Sequence, residues 1–133
     1  MWGQPLNSLP VLNHADLVAA VEHLYRALEA LEAARREITG GAILATGLSS
    51  KLADGWLEVN RCRQYTEPFP LLEEWLVPSL GLINDAKCMV ESCVAWGLGV
   101  TRSAYFHILN CIDLAINEGI RPCLEELESW MYE

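Results

Sequence analysis

Positively charged residues are scarce in this sequence. Its 133 residues hold 9 Lys and Arg against 18 Asp and Glu, which gives a formal net charge of −9. Most of the imbalance lies in residues 67–133, where 3 basic side chains accompany 11 acidic ones, while residues 1–66 hold 6 basic and 7 acidic ones. Because such a surface repels phosphate backbones, we expect no direct binding of nucleic acid.

Long apolar runs are missing as well. No stretch reaches the roughly 18 consecutive apolar residues that a membrane helix requires, so we expect no membrane partner. A secretory signal would place basic residues before an apolar segment, but the first basic residue is Arg26, and Pro5 and Pro10 interrupt the start of the sequence. These features predict a cytoplasmic protein.

The cysteines form no Cys-x-x-Cys pair. They are odd in number and lie in apolar, helical contexts: Cys62, Cys88, Cys93, Cys111 and Cys123. This usage is typical of buried, reduced thiols in an intracellular protein rather than of a disulfide framework or a zinc site.

Period-two alternation of apolar and polar residues, the mark of half-buried strands, is absent too. Apolar residues recur instead at helical spacing, most clearly in a stretch that Asn13 opens as a capping residue, with Asp16 three positions later. The stripe consists of Leu17, Val21, Leu24, Leu28 and Leu31. Gly40-Gly41 supplies a stop signal, so we predict a first helix between these limits.

Proline and glycine divide the rest of the chain into further helices. We predict a second helix that begins at Ala42 or Ser50 and ends at Gln64, followed by a proline-containing linker at residues 65–70. A short turn starts at Pro70, and Pro78 forces a kink or a fresh start. The third full helix then covers about residues 79–96.

Two more helices follow. Thr101 is a plausible cap for the fourth, Gly119 lies past its end, and the last begins at Pro122. The sequence therefore predicts an all-α protein, a compact bundle of four to five helices with short antiparallel connections at residues 39–41, 97–101 and 119–121. We expect one domain over residues 1–133, with residues 1–12 as an N-terminal arm and the linker between two helical halves.

Residues for metal or covalent chemistry are few. The three histidines, His14, His23 and His107, do not occur at ligand spacing. Cys111 lies four residues after His107 and shares a helix face with it, but Asp113 is two positions further on and points elsewhere. We therefore predict no catalytic, metal-binding or cofactor-binding residues and no enzymatic activity.

Apolar side chains and tryptophan are abundant: 52% of the residues are hydrophobic and five are Trp. Since a domain of this size leaves part of such surface uncovered, we expect a protein interface and self-association. The candidate anchors of this interface are the aromatic residues Trp2, Trp75, Trp130 and Tyr132. The candidate residues for selecting a basic partner are the acidic Glu125, Glu126 and Glu128. These features favour a non-enzymatic protein-interaction module, a small bacterial or phage-borne regulator or inhibitor.

Two other functions remain open at this point. The chain could form a dimeric bundle that holds a small apolar ligand near Met89, Trp96 and Tyr105. It could also be a helical enzyme with an unrecognised site, which His107 and a cysteine within hydrogen-bonding reach in a cleft would favour.

A paired-helix pattern runs through residues 71–127. A double leucine opens one helix, an Ala and a Met recur along it, and a glycine-containing turn, an Arg and a second leucine-rich helix follow. The residues are Leu71-Leu72, Ala86, Met89, Leu98-Gly99, Arg102, Ile108, Leu114, Leu124 and Leu127. This stretch resembles small helical pseudomonad domains of unknown function, and the resemblance implies a paired-helix fold and a bacterial cytoplasmic setting.

Overall fold

A computed structural model describes residues 12–39, 45–95 and 102–132. Within these ranges the chain forms four helical rods and no strand. Helix α1 spans His14–Thr39, α2 spans Ala45–Thr66 and α3 spans Pro70–Ala95. The fourth rod joins α4 (Arg102–Ala115), a π-helix (Ile116–Ile120) and α5 (Arg121–Met131). The predicted all-α fold class is confirmed.

The first helix begins as the sequence predicts. The Asp16 amide donates to Asn13 Oδ1 at 2.8 Å, and Asn13 Nδ2 donates in turn to Asp16 Oδ2 at 3.2 Å. Together these bonds satisfy a free amide of the first turn and fix the start of α1. The predicted stripe is buried except for Leu28, which is half-buried against the core.

A glycine sets the distance between α1 and α2. A Cβ built on Gly55 would lie 2.8 Å from Leu31 Cδ2, closer than a normal van der Waals contact. The two helices are therefore in contact where Leu31 covers the bare backbone of α2. Near the end of α1, Lys51 Nζ donates to Glu37 Oε2 at 2.6 Å, which ties the same pair of helices at the surface.

The predicted linker is a tight turn. Helix α2 ends at Thr66, and the Phe69 amide donates to the Thr66 carbonyl oxygen at 2.9 Å before α3 starts at Pro70. Across the turn, Arg63 binds Glu73 through Nε at 2.9 Å and Nη2 at 2.7 Å. This bidentate pair holds the end of α2 against the start of α3.

Helix α3 passes through Pro78 without ending, so the predicted fresh start near Ser79 is wrong. Because proline has no N–H, the carbonyl of Glu74 loses its helical hydrogen bond. Pro78 and Glu74 both lie on the exposed side of α3, where water can solvate that carbonyl. Leu76 and Leu80 on the other side are buried in the core. Burial of the inner face therefore outweighs the missing bond.

The predicted turn at residues 119–121 is also wrong, because the fourth rod is helical from Arg102 to Met131. The Arg121 amide donates to the Ile116 carbonyl oxygen, five residues back. This π turn lies directly before Pro122 and widens the helix where the proline ring would otherwise clash.

Gly119 has a packing role instead of a terminating one. A Cβ at this position would overlap Ser79 Oγ and lie 2.8 Å from the Trp75 carbonyl oxygen. The Ser79 hydroxyl donates to that same carbonyl at 2.7 Å. Gly119 is therefore the point at which the fourth rod crosses the backbone of α3.

Contacts along α1 show that its neighbours run antiparallel to it. On α2, Lys51 pairs with Glu37 and Glu58 with His23; on the fourth rod, the Tyr105 hydroxyl donates to the Ile38 carbonyl and Tyr25 contacts Glu128. The result is a compact antiparallel bundle, as predicted. We call the end that carries the α2–α3 turn, the start of α1 and the end of α5 the turn end.

The core runs the length of the bundle. Its largest fully buried side chains are Leu24, Leu31, Leu48, Leu52, Val59, Leu72, Leu76, Ile83, Ile108, Ile112, Ile120 and Leu127. Each such side chain contributes roughly 2 kcal/mol through its removal from water. In the described part of the chain, no buried side-chain nitrogen or oxygen lacks a hydrogen-bond partner.

Several sequence predictions fall outside the described residues. They include the Gly40-Gly41 stop, the Thr101 cap, the turn at residues 97–99, and the N-terminal arm apart from Leu12, which is half-buried against the core. None of the helices in the described ranges has the length and apolar character to cross a membrane.

Candidate protein-interaction surface

A tyrosine pair and a carboxylate lie together at the turn end. Tyr25 of α1 is 47% exposed, and its hydroxyl donates to Glu128 Oε2 of α5 at 2.9 Å. The pKa of Tyr25 is raised, first by this hydrogen bond and then by partial burial and by the charges of Glu128 and Tyr132. Tyr132 itself is 88% exposed. The sequence analysis singled out Glu128 and Tyr132 but missed Tyr25.

Trp130 is engaged within the chain. Its indole Nε1 donates to Glu126 Oε2 at 2.8 Å, and its ring lies 5.1 Å from the ring of Phe69 with a tilt of 52°. Both rings are half-buried against the core. Trp130 therefore packs α5 against the α2–α3 turn, and Glu126 on the same helix holds its indole in place. This leaves the tyrosines as the more exposed aromatics of the turn end.

The remaining predicted site residues have different surroundings. Trp75 is half-buried against the core, and Glu125 is exposed on α5. Trp2 lies outside the described residues. The structure thus brings Trp130 together with Glu126 on α5. It also brings Glu128 of α5 together with Tyr25 of α1 and with Tyr132, which follows α5.

Ion pairs account for most of the positive charge. Seven of the nine Lys and Arg side chains each lie within 4 Å of a different carboxylate. Arg36 and Arg102 have no ion pair within the described ranges. Most of the net negative charge therefore belongs to carboxylates that no cation of the described chain neutralises.

These surplus carboxylates concentrate at one place. Ten described Asp and Glu side chains have no Lys or Arg partner among the described residues. Six of the ten lie at the turn end: Asp16, Glu67, Glu74, Glu125, Glu126 and Glu128. We call Tyr25, Glu125, Glu128 and Tyr132 the acidic tyrosine surface.

A second polar cluster lies nearby and is structural in character. Glu58 is buried between α1 and α2, accepts from Arg61 Nη1 at 2.8 Å and lies 3.3 Å from His23 Nδ1. Burial acts to raise the pKa of Glu58, but the Arg61 and His23 contacts outweigh it, so the pKa is lowered. His23 also stacks on Tyr65 at 6.1 Å. This cluster holds an ionised carboxylate in place.

His107 and Cys111 approach one another as their spacing predicts. Cys111 Sγ lies 3.7 Å from His107 Nε2, within reach of a weak hydrogen bond. Burial, and then the negative charge of Asp85, raise the pKa of the Cys111 thiol, which favours the protonated form. Since the thiolate is the reactive species, this geometry supplies no activated nucleophile.

One cysteine departs from the prediction of buried thiols. Cys88 is exposed on the outer side of α3, whereas the other four are buried. Within the described ranges, no group of three His, Cys, Asp or Glu side chains has the geometry to hold a metal ion.

An apolar groove of about 500 Å³ opens between the end of α1 and the start of α4. Tyr105, Phe106 and Leu109 line one wall, and Ile38 lines the other. Tyr105 belongs to the ligand pocket that the sequence predicted, whereas Met89 is half-buried against the core and Trp96 is outside the described residues. Arg102 places one positive charge at the rim.

Comparison with protein-family models, with curated proteins and with solved structures gave no match to this chain. The resemblance of residues 71–127 to small pseudomonad domains remains a prediction.

Proposed function

We propose that this chain is a non-enzymatic protein-interaction module whose acidic tyrosine surface binds a basic surface of another protein. The observation that carries this proposal is the unequal neutralisation of charge. Seven cations are used in ion pairs, and six of the ten surplus carboxylates lie at the turn end. Such a surface attracts Lys and Arg side chains and repels nucleic acid.

The tyrosines would supply the anchoring contacts. Tyr132 and Tyr25 present large rings with polar tips, a combination that recurs at the centre of protein interfaces. Because Glu126 and Trp130 fix α5, the surface is ordered before a partner arrives, and less conformational entropy is lost on binding. Small size, negative charge and this surface fit a bacterial or phage-borne regulator or inhibitor.

Affinity capture from native cells tests the proposal when variants are compared. The wild-type chain should retain a basic protein at low salt and release it as salt rises. The Glu125→Gln/Glu128→Gln variant should lose it, while Asp54→Asn/Asp85→Asn, which removes the same charge elsewhere, should keep it. Equal capture by both variants, or capture of this chain alone, contradicts the proposal.

Self-association is part of the same proposal. Apolar side chains are exposed on the outer sides of α3 and α4, including Val94 at 53% and Phe106 at 66%. Contact with a second copy of the chain would remove such groups from water. Sedimentation velocity of the purified protein should show a dimer that the Phe106→Ser substitution dissociates. A monomer at all concentrations would remove this part of the proposal.

The apolar groove at Tyr105 supports a second candidate, a bundle that binds a small apolar ligand. Its volume of about 500 Å³ lies within the range of small-molecule sites. Anilinonaphthalene sulfonate should then bind with enhanced fluorescence, and Leu109→Ala should weaken binding, while Leu71→Ala, an exposed leucine remote from the groove, should not. Equal responses from the two variants would exclude the groove as the site.

A further inference from the structure

Three arginines meet in a groove between α1 and the fourth rod. The groove has a volume of about 280 Å³. Arg35 and Arg36 line it from the last turns of α1, and Arg121 lines it from the start of α5. Two carboxylates, Glu32 and Asp113, also face it. The groove therefore carries a net positive charge on a protein whose net charge is −9.

The carboxylates orient two of the arginines without enclosing them. Arg35 Nε lies 2.8 Å from Asp113 Oδ1, and Arg121 Nη2 lies 3.4 Å from Glu32 Oε1. The two arginine side chains are 52% and 54% exposed. Surface ion pairs of this kind are weak, so a stronger anion can compete for the guanidinium groups.

Arg36 has no carboxylate partner among the described residues, although it lines the same groove. A guanidinium group presents several N–H donors in one plane and pairs well with phosphate oxygens. A second groove, between α1 and α2, differs in this respect, because the three cations that line it are matched in number by three carboxylates: Arg26, Lys51 and Arg61 with Glu29, Asp54 and Glu58.

The π-helix contributes to the same groove. Asn117 lies in the π turn and lines the groove between Asp113 and Arg121. The amide of Arg121 closes the π turn on the Ile116 carbonyl, so the widened helix sets where Arg121 leaves the rod. Single π turns within α-helices are frequent at functional sites. Pro122 explains why the turn is tolerated, and the turn positions Asn117 and Arg121 in the groove.

We propose that this groove binds the phosphate group of a small phosphorylated molecule. Three guanidinium groups supply charge and donors, Asn117 supplies an amide, and the volume of about 280 Å³ accommodates a phosphate group together with a small organic group. A nucleic acid strand is disfavoured by the charge of the rest of the protein. This site is separate from the acidic tyrosine surface, so the two proposals stand or fall independently.

Calorimetric titration of the full chain with inorganic phosphate and with O-phosphoserine, at constant ionic strength set with chloride, tests the proposal. Binding should saturate in the millimolar range or below. Arg36→Gln should weaken it about tenfold, as expected for loss of a charged hydrogen bond. Arg102→Gln removes the other unpaired arginine and should leave the affinity unchanged.

Each outcome decides the question. Binding of both probes indicates a site for phosphate itself, and binding of O-phosphoserine alone indicates a site for phosphate esters. Absence of saturable binding overturns the proposal, as does an equal loss in the Arg36 and Arg102 variants. Arg36 forms no ion pair within the described ranges, so its variant should unfold at about the same denaturant concentration as the wild type, which separates a loss of binding from a loss of folding.

Discussion

In both the α1–α2 half and the α3–α5 half, two helices approach closely at a glycine, but the two glycines contact different neighbours. Gly55 lies beneath the tip of the Leu31 side chain, whereas Gly119 lies against Ser79 and the Trp75 backbone. The halves also differ in charge, since residues 1–66 hold six cations and seven carboxylates, whereas residues 67–133 hold three cations and eleven carboxylates. The first half is thus nearly balanced in charge and has its close contact with a leucine side-chain tip, while the second carries the surplus acid and has its close contact with backbone.

The largest expected effect concerns the thiols buried where the halves meet. Burial first, and then the charge of Glu126, raise the pKa of Cys123 from 9.0 to about 12, which lowers its thiolate fraction about a thousandfold at neutral pH. Burial first also raises the pKa of Cys62, on α2. With Ellman's reagent, Cys88 should react at once, and these two only after unfolding.

The Cys88→Ser variant provides the control, because it should abolish the fast phase and leave the slow phase unchanged. Rapid reaction of Cys123 in the native protein would show that the two halves separate readily, which contradicts the packing described above.

Gly119→Ala tests the rigid contact of the second half. The new methyl group would meet a backbone carbonyl that cannot move without disturbing α3, so we expect a loss of about 3 kcal/mol in the free energy of unfolding. Urea denaturation measures it. The matched control is Gly81→Ala on α3, where no atom lies within 4 Å and the helix propensity of alanine should add about 0.5–1 kcal/mol.

Gly55→Ala probes the adaptable contact of the first half. Here the methyl group meets the end of a leucine side chain that can change its rotamer, and alanine also favours the helix. The two effects oppose each other, so urea denaturation should show a loss of about 1 kcal/mol or less. A loss as large as that of Gly119→Ala would erase the proposed difference between the halves.

The smallest effect is the pH dependence that Glu58 gives to the first half. In the folded chain the pKa of Glu58 is lowered below 4.5. Its ionised carboxylate therefore stabilises the fold at pH values above the pKa of the unfolded chain, and this contribution is lost as the pH falls through the pKa of the folded chain. Glu58→Gln should therefore show a shallower loss of stability in acid than the wild type. Glu29→Gln, on the surface without an ion pair in the described ranges, should follow the wild-type curve.

Local sequence signals predicted the elements that depend on neighbouring residues. The Asn13 cap, the α1 stripe and the turn before Pro70 all follow from contacts within a few positions. Pro78 and Gly119 were misassigned as boundaries because their outcome depends on packing between α3 and the fourth rod. A contact between Ser79 and Gly119, forty positions apart in the sequence, is invisible to a local rule.

The candidate surface shows the same limit. Charge counting located the acidic region, and Glu125, Glu126 and Glu128 lie there on α5. Tryptophan content pointed to Trp75 and Trp130, but both rings are half-buried against the core. Tyr25 was missed because its partner, Glu128, is 103 positions away, although a large aromatic on the polar side of an amphipathic helix is a usable signal.

The most direct test of the account is amide chemical-shift mapping of the isotope-labelled chain titrated with the basic protein recovered by capture. We expect perturbations on α5 around Glu125 and Glu128 and on the facing part of α1 around Tyr25, all reduced at high salt. Perturbations confined to the opposite end, around Ile38 and Tyr105, would contradict the account.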